Sequence, residues 1–121
     1  MKKTLSISLV ILIFYSSNIF AQNVSDKINP DVRAERITEW MNDELGLDST
    51  QVNMVQIINL KYAVKIESLK NSHSARVKKL QELRSFSSDK DNELKKVFTK
   101  KQFKIYQNKK QEIRKYLKSK N

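Results

Sequence analysis

Residues 48–70 read Asp-Ser-Thr-Gln-Val-Asn-Met-Val-Gln-Ile-Ile-Asn-Leu-Lys-Tyr-Ala-Val-Lys-Ile-Glu-Ser-Leu-Lys. Asp48 is a helix-capping residue that can accept from the free amide at Gln51, and the Gln51 side chain can reach back to the cap. Past this start, Val55, Ile58, Tyr62, Ile66 and Leu69 recur at steps of three and four, the spacing of one helix face. The stripe runs on through His73, Val77, Leu80 and Leu83, and neither Gly nor Pro interrupts the chain from here to its end. The pattern predicts one long helix to about Ser85, roughly 55 Å at 1.5 Å per residue.

The same segment is apolar on a second side. At 100° per residue, Met54, Ile57, Leu60 and Val64 form a strip roughly opposite Ile58 and Tyr62. A helix with two apolar faces must cover both or expose one. Two readings are open: neighbouring helices cover both strips, or this one serves as a dimer or client surface.

Upstream, Asn29-Pro30 marks a helix start, because Asn caps and Pro tolerates the first helical position. Ala34, Ile37, Met41 and Leu45 follow at helical spacing, and Gly46, the only glycine, stands where a left-handed helix end needs one. This first helix is expected over about 30–45. Downstream, Ser85–Ser88 reads as a break, with Ser88 capping a short helix that carries Leu94, Val97 and Phe98. Thr99-Lys100-Lys101-Gln102 is a second capping box, opening a last helix with Phe103, Tyr106, Ile113 and Leu117 on one face. The expected fold is all-α, about four helices, two longer and two shorter, without strands.

Composition narrows function by exclusion. The chain has 121 residues with one Gly, one Pro, one His and no Cys. Glycine-rich phosphate loops and a parallel sheet are out of reach, as are disulfides, thiolate metal sites and cysteine catalysis. No catalytic constellation is visible, so no enzyme is expected. Residues 1–21 have a basic start, a short apolar run from Leu5 to Tyr15, and Ala21 before Gln22. That is the pattern of a secretory signal peptide; a membrane span needs about 20 apolar residues. Residues 22–29 read as a flexible lead-in, and 30–121 as one helical domain in an exported compartment, with no integral membrane span.

Two short segments match each other. Leu47-Asp48-Ser49-Thr50-Gln51 and Phe98-Thr99-Lys100-Lys101-Gln102 each give an apolar residue, a capping residue, two free positions and Gln. This repeat resembles the LTxxQ motif of the Spy/CpxP family of small periplasmic helical proteins, with Phe98 in place of Leu and Asp48 in place of Thr. In their chemistry Leu47, Asp48, Gln51, Phe98, Thr99 and Gln102 read as helix caps that shape the fold, not as a ligand site. The resemblance implies a bent helical hairpin with one long central helix that dimerises into a thin cradle. It also implies an ATP-independent periplasmic chaperone binding unfolded or partly folded clients. The alternative it carries is a regulator docking on the periplasmic domain of an envelope-stress sensor kinase; a metal-responsive periplasmic protein is a third reading.

Charge is uneven. Residues 22–94 hold 11 Lys and Arg against 12 Asp and Glu, whereas residues 95–121 hold 11 against Glu112 alone. Lys100, Lys101, Lys104, Lys109, Lys110 and Arg114 are then either a solubility device or a surface that steers acidic partners. Tyr106 and Tyr116 lie among these lysines as stacking residues would, but an exported chain argues against nucleic acid. His73 has no carboxylate at ligand spacing and reads as a core-edge or interface residue, so neither metal nor cofactor is expected.

Overall fold

A computed structural model describes residues 29–120. The expected signal peptide and residues 22–28 of the lead-in lie outside the described residues. Five helices follow in order: α1 (Pro30–Leu45), α2 (Ser49–Lys70), α3 (Arg76–Val97), α4 (Lys100–Lys109) and α5 (Glu112–Ser119), with no strand among the described residues. The fold is all-α, as expected.

The helix ends of the first half form where the sequence places them. Asn29 Oδ1 accepts from the Val32 amide at 2.8 Å, with Pro30 at the first helical position. Gly46 closes α1 at φ 60°, and its N–H donates to the Asn42 carbonyl. A side chain at that φ is strained.

Three expectations are corrected. The single long central helix is instead two helices, α2 and α3, folded back at Asn71–Ala75. Asn71, Ser72, His73 and Ser74 are a run of weak helix formers. Ser72 offers a local alternative, donating from Oγ to the Leu69 carbonyl at 2.8 Å. Each such residue disfavours a helix by only about 0.5 kcal/mol, so tertiary packing decides: reversal brings α3 against α2, with Phe86 beside Lys65 and Glu93 bonded to Lys61. His73 therefore sits exposed in a turn and not on a helical stripe.

Second, the expected break at Ser85–Ser88 lies inside α3, and Ser88 caps nothing. Without Gly or Pro, serines alone do not outweigh a helix held on both sides. Third, the last helix is divided at Lys110–Gln111 into α4 and α5. The division lets Ile113 and Leu117 reach the core built on α1.

That core joins Ile37, Trp40, Met41 and Leu45 of α1, Val55 of α2 and Leu94 of α3 with Phe98, Tyr106 and Leu117. Phe98 and Tyr106 meet as tilted rings with centroids 5.8 Å apart, a favoured aromatic geometry. Asn59 is buried on the α1 side of α2; its Nδ2 donates to Thr38 Oγ1 at 2.9 Å, and Thr38 donates to the Ala34 carbonyl at 2.8 Å. Lys109 pairs with Glu44 at 2.7 Å and Tyr116 donates to Glu39 at 3.1 Å, tying α4 and α5 to α1.

Candidate functional site

The two repeated motifs meet. Both capping boxes are complete: Asp48 Oδ1 accepts from the Gln51 amide at 2.8 Å, and Thr99 Oγ1 from the Gln102 amide at 3.2 Å. Each glutamine Oε1 accepts in return from its own cap, at 3.1 Å from the Asp48 N–H and 2.9 Å from the Thr99 N–H. The side-chain amides then pair across the molecule. Gln51 Nε2 donates to Gln102 Oε1 at 2.7 Å, and Gln102 Nε2 to Gln51 Oε1 at 3.3 Å. Gln51 also reaches the Val97 carbonyl at the end of α3 (3.1 Å), and Gln102 the Leu45 carbonyl at the end of α1 (3.4 Å). The α1–α2 and α3–α4 junctions are thus locked to each other. Sequence reasoning found the caps; it missed the cross-pair, because a contact across 51 positions has no local signal. Phe98 is buried in the core and Leu47 packs on its edge.

The apolar strip on α2 is uncovered. Met54, Ile57 and Val64 are 47%, 69% and 50% exposed, and Leu60 is half-buried. The α3 stripe is open at its start too: Val77 and Leu80 are 68% and 48% exposed, Leu83 less so.

The basic residues do not form one surface. Lys100, Lys101 and Lys104 point outward from α4, exposed. Lys109 is bound to Glu44, which raises its pKa, and Lys110 to Asp91 at 2.9 Å. Lys110 and Arg114 turn instead towards a cleft of about 460 Å³ between α1, α2, α3 and α5.

The cleft has an apolar floor of Ile37, Ile66, Leu83, Phe86, Ile113 and Leu117. Arg33, Lys70, Lys90, Lys110 and Arg114 line it as cations, and Asp91 is its one carboxylate. Asp91 is engaged on both oxygens, by Tyr106 Oη at 2.7 Å and by Lys110 Nζ. Burial, and then this carboxylate, hold the Tyr106 phenol well above its ordinary pKa. Lys90 is pushed down to about 8, first by desolvation and then by Arg33, against the pull of Asp91. Desolvation also lowers Arg33, whose Nε is buried with no hydrogen-bond partner among the described residues. This cleft leaves no local pattern in the sequence, because its cations come from α1, α2, α3, α5 and the Lys110 turn.

No group of three His, Asp or Glu side chains gathers to metal-binding distance among the described residues, and no described helix is long and apolar enough to cross a membrane. The described residues present exposed aliphatic strips, outward lysines on α4 and a cationic cleft.

Among the described residues the chain is a five-helix fold with paired capping motifs and open apolar strips. A family model described as "Domain of unknown function (DUF4890)" matches residues 20–106, through α1, α2, α3 and most of α4, and the chain belongs to that family. No curated protein and no solved structure matches it.

Proposed function

We propose that this is a non-enzymatic, periplasmic, ATP-independent chaperone-like protein that binds unfolded or partly folded clients on the open apolar strip of α2. The observation that carries the reading is the exposure of Met54, Ile57 and Val64 on one side of a helix whose other side is core. Contiguous exposed apolar surface rimmed by charge marks an interaction site. The flexible thioether of Met54 suits clients of varied shape. The outward lysines of α4 add a salt-sensitive attraction for acidic clients.

The pairing of the two repeats supports the relation to Spy/CpxP-like proteins that the LTxxQ-like motifs suggest, while the long central helix which that relation implied is divided into α2 and α3. The repeats sit at equivalent helix starts and bond to each other through Gln51 and Gln102, so they act as one structural unit. The exported protein should carry Gln22 as its first residue, and mass spectrometry of the mature chain checks this.

The decisive assay is suppression of light scattering from a reduced, unfolding acidic protein. The exported protein should suppress aggregation at near-stoichiometric ratio without nucleotide, and Ile57→Asp should lose that effect while remaining helical. A wild-type protein without effect on aggregation would reject the chaperone reading.

A further inference from the structure

We propose that the cleft between α1, α2, α3 and α5 binds a single-chain amphipathic anion: one alkyl tail ending in a carboxylate or phosphate. Its floor is aliphatic and aromatic, and its walls are cationic. The volume, about 460 Å³, falls within the roughly 300–1,000 Å³ of small-molecule sites.

The head-group chemistry follows from which charges are already spent. Asp91 is saturated by Tyr106 and Lys110, so it neither repels an anion strongly nor needs a further cation. Lys90 and Arg33 face the cleft without an ion pair among the described residues, although Glu67 offsets part of the Arg33 charge from a distance. The Arg33 Nε is buried and lacks an acceptor. A buried cationic donor without an acceptor is costly. An anionic head in the cleft offsets the desolvation of the Arg33 and Lys90 side chains that line it and the repulsion between them. A neutral head can accept a hydrogen bond but leaves the repulsion between the cations in place, and a cationic head would add to it.

The tail chemistry follows from Leu83 and Phe86. Beyond Leu83 the α3 flank continues with Leu80 and Val77, both exposed, so a tail longer than the cleft lies on apolar side chains as it leaves. The client strip of Met54, Ile57 and Val64 is on the opposite side of α2 from the cleft residues Tyr62 and Ile66. The two sites therefore fail independently.

Isothermal titration of the full chain tests the proposal, with ten-carbon probes held below micelle-forming concentration. Decanoate and decyl phosphate should each bind once per chain. Decanol should bind at least about tenfold more weakly, the loss of one charge-assisted contact, and decyltrimethylammonium should not bind. Lys90→Met and Arg33→Met should each weaken decanoate by about tenfold, while Ile57→Asp leaves it unchanged. Thermal melts establish that each variant is folded; if Arg33→Met is not, Lys90→Met decides alone. Equal affinity for the anionic and cationic probes, or decanoate binding indifferent to Lys90→Met, would overturn the proposal. So would binding to phosphatidylglycerol vesicles without binding to the free anions, which would assign the cations to a membrane surface.

Discussion

Gln51 and Gln102 each join a helix cap to a junction on the other side of the molecule. Removing either side chain strands part-buried partners, so Gln51→Ala or Gln102→Ala should each cost about 1–3 kcal/mol. Because each glutamine is the other's partner, the double variant should cost less than the sum by about 0.5 kcal/mol or more. Urea denaturation measures all three, and strict additivity would show that the cross-pair contributes nothing. Lys90 makes a second residue-scale case. Its pKa of about 8 in the fold is below the roughly 10.4 of an unfolded lysine, so the unfolded chain binds more protons between these values. Lys90 therefore destabilises the fold below pH 8, and stability should rise as pH climbs from about 8 to 9.5. Above that the tyrosines oppose it: Tyr62 and Tyr106 are held neutral in the fold but ionise near pH 10 when unfolded. Lys90→Met should raise the melting temperature at pH 7 by a few degrees and abolish the rise towards pH 9.5. A melting temperature flat with pH in the wild type would contradict this account.

At the scale of the element, α2 is a helix with one committed face and one free face. Val55 is wholly buried while Ile57, two positions on, is 69% exposed. Met54→Asp and Ile57→Asp should therefore leave helicity intact and change stability by less than about 1 kcal/mol, as surface substitutions do. Val55→Asp should prevent folding, since it buries an unpaired carboxylate. Circular dichroism of the three variants separates the faces. Unfolding by Ile57→Asp would mean that the strip is covered in solution, and its assignment to clients would fall.

For the whole molecule, two consequences follow from the open strips and the basic C-terminal third. Uncovered aliphatic surface on both α2 and α3 favours self-association, so residues 22–121 should sediment as a homodimer at micromolar concentration. A monomer alone would contradict this. Association with an acidic unfolded client should slow as salt rises from about 50 to 500 mM, because exposed charge is screened within about 10 Å at 0.1 M salt. Lys100→Gln, Lys101→Gln and Lys104→Gln together should slow association more than they speed release, with little effect on stability. Lys109→Gln differs, since it also breaks the link from α4 to Glu44. Stopped-flow rates indifferent to salt and to these lysines would leave them a solubility role only.

What the sequence determined by itself was whatever rests on contacts between near neighbours. The class of fold, the start and end of α1, and both capping boxes were legible, because a cap and its partner amide are three positions apart and Gly46 stands alone as a left-handed terminator. The second apolar strip on α2 was legible as a strip, since helical periodicity is local. Only the tertiary structure decided that the chain reverses at Asn71–Ala75 and stays helical through Ser85–Ser88. The two serine-bearing segments have similar intrinsic preference, and the difference lies in what each packs against after reversal. That reversal breaks the stripe from Val55 to Leu83, divides it between two antiparallel helices and places α3 beside α2. It also creates the cleft: Arg33, Lys90 and Arg114 are distant in the chain, and folding brings these like charges around one cavity. No pattern of spacing encodes such a gathering, because its cost is borne by core contacts elsewhere, among Met41, Val55 and Leu94.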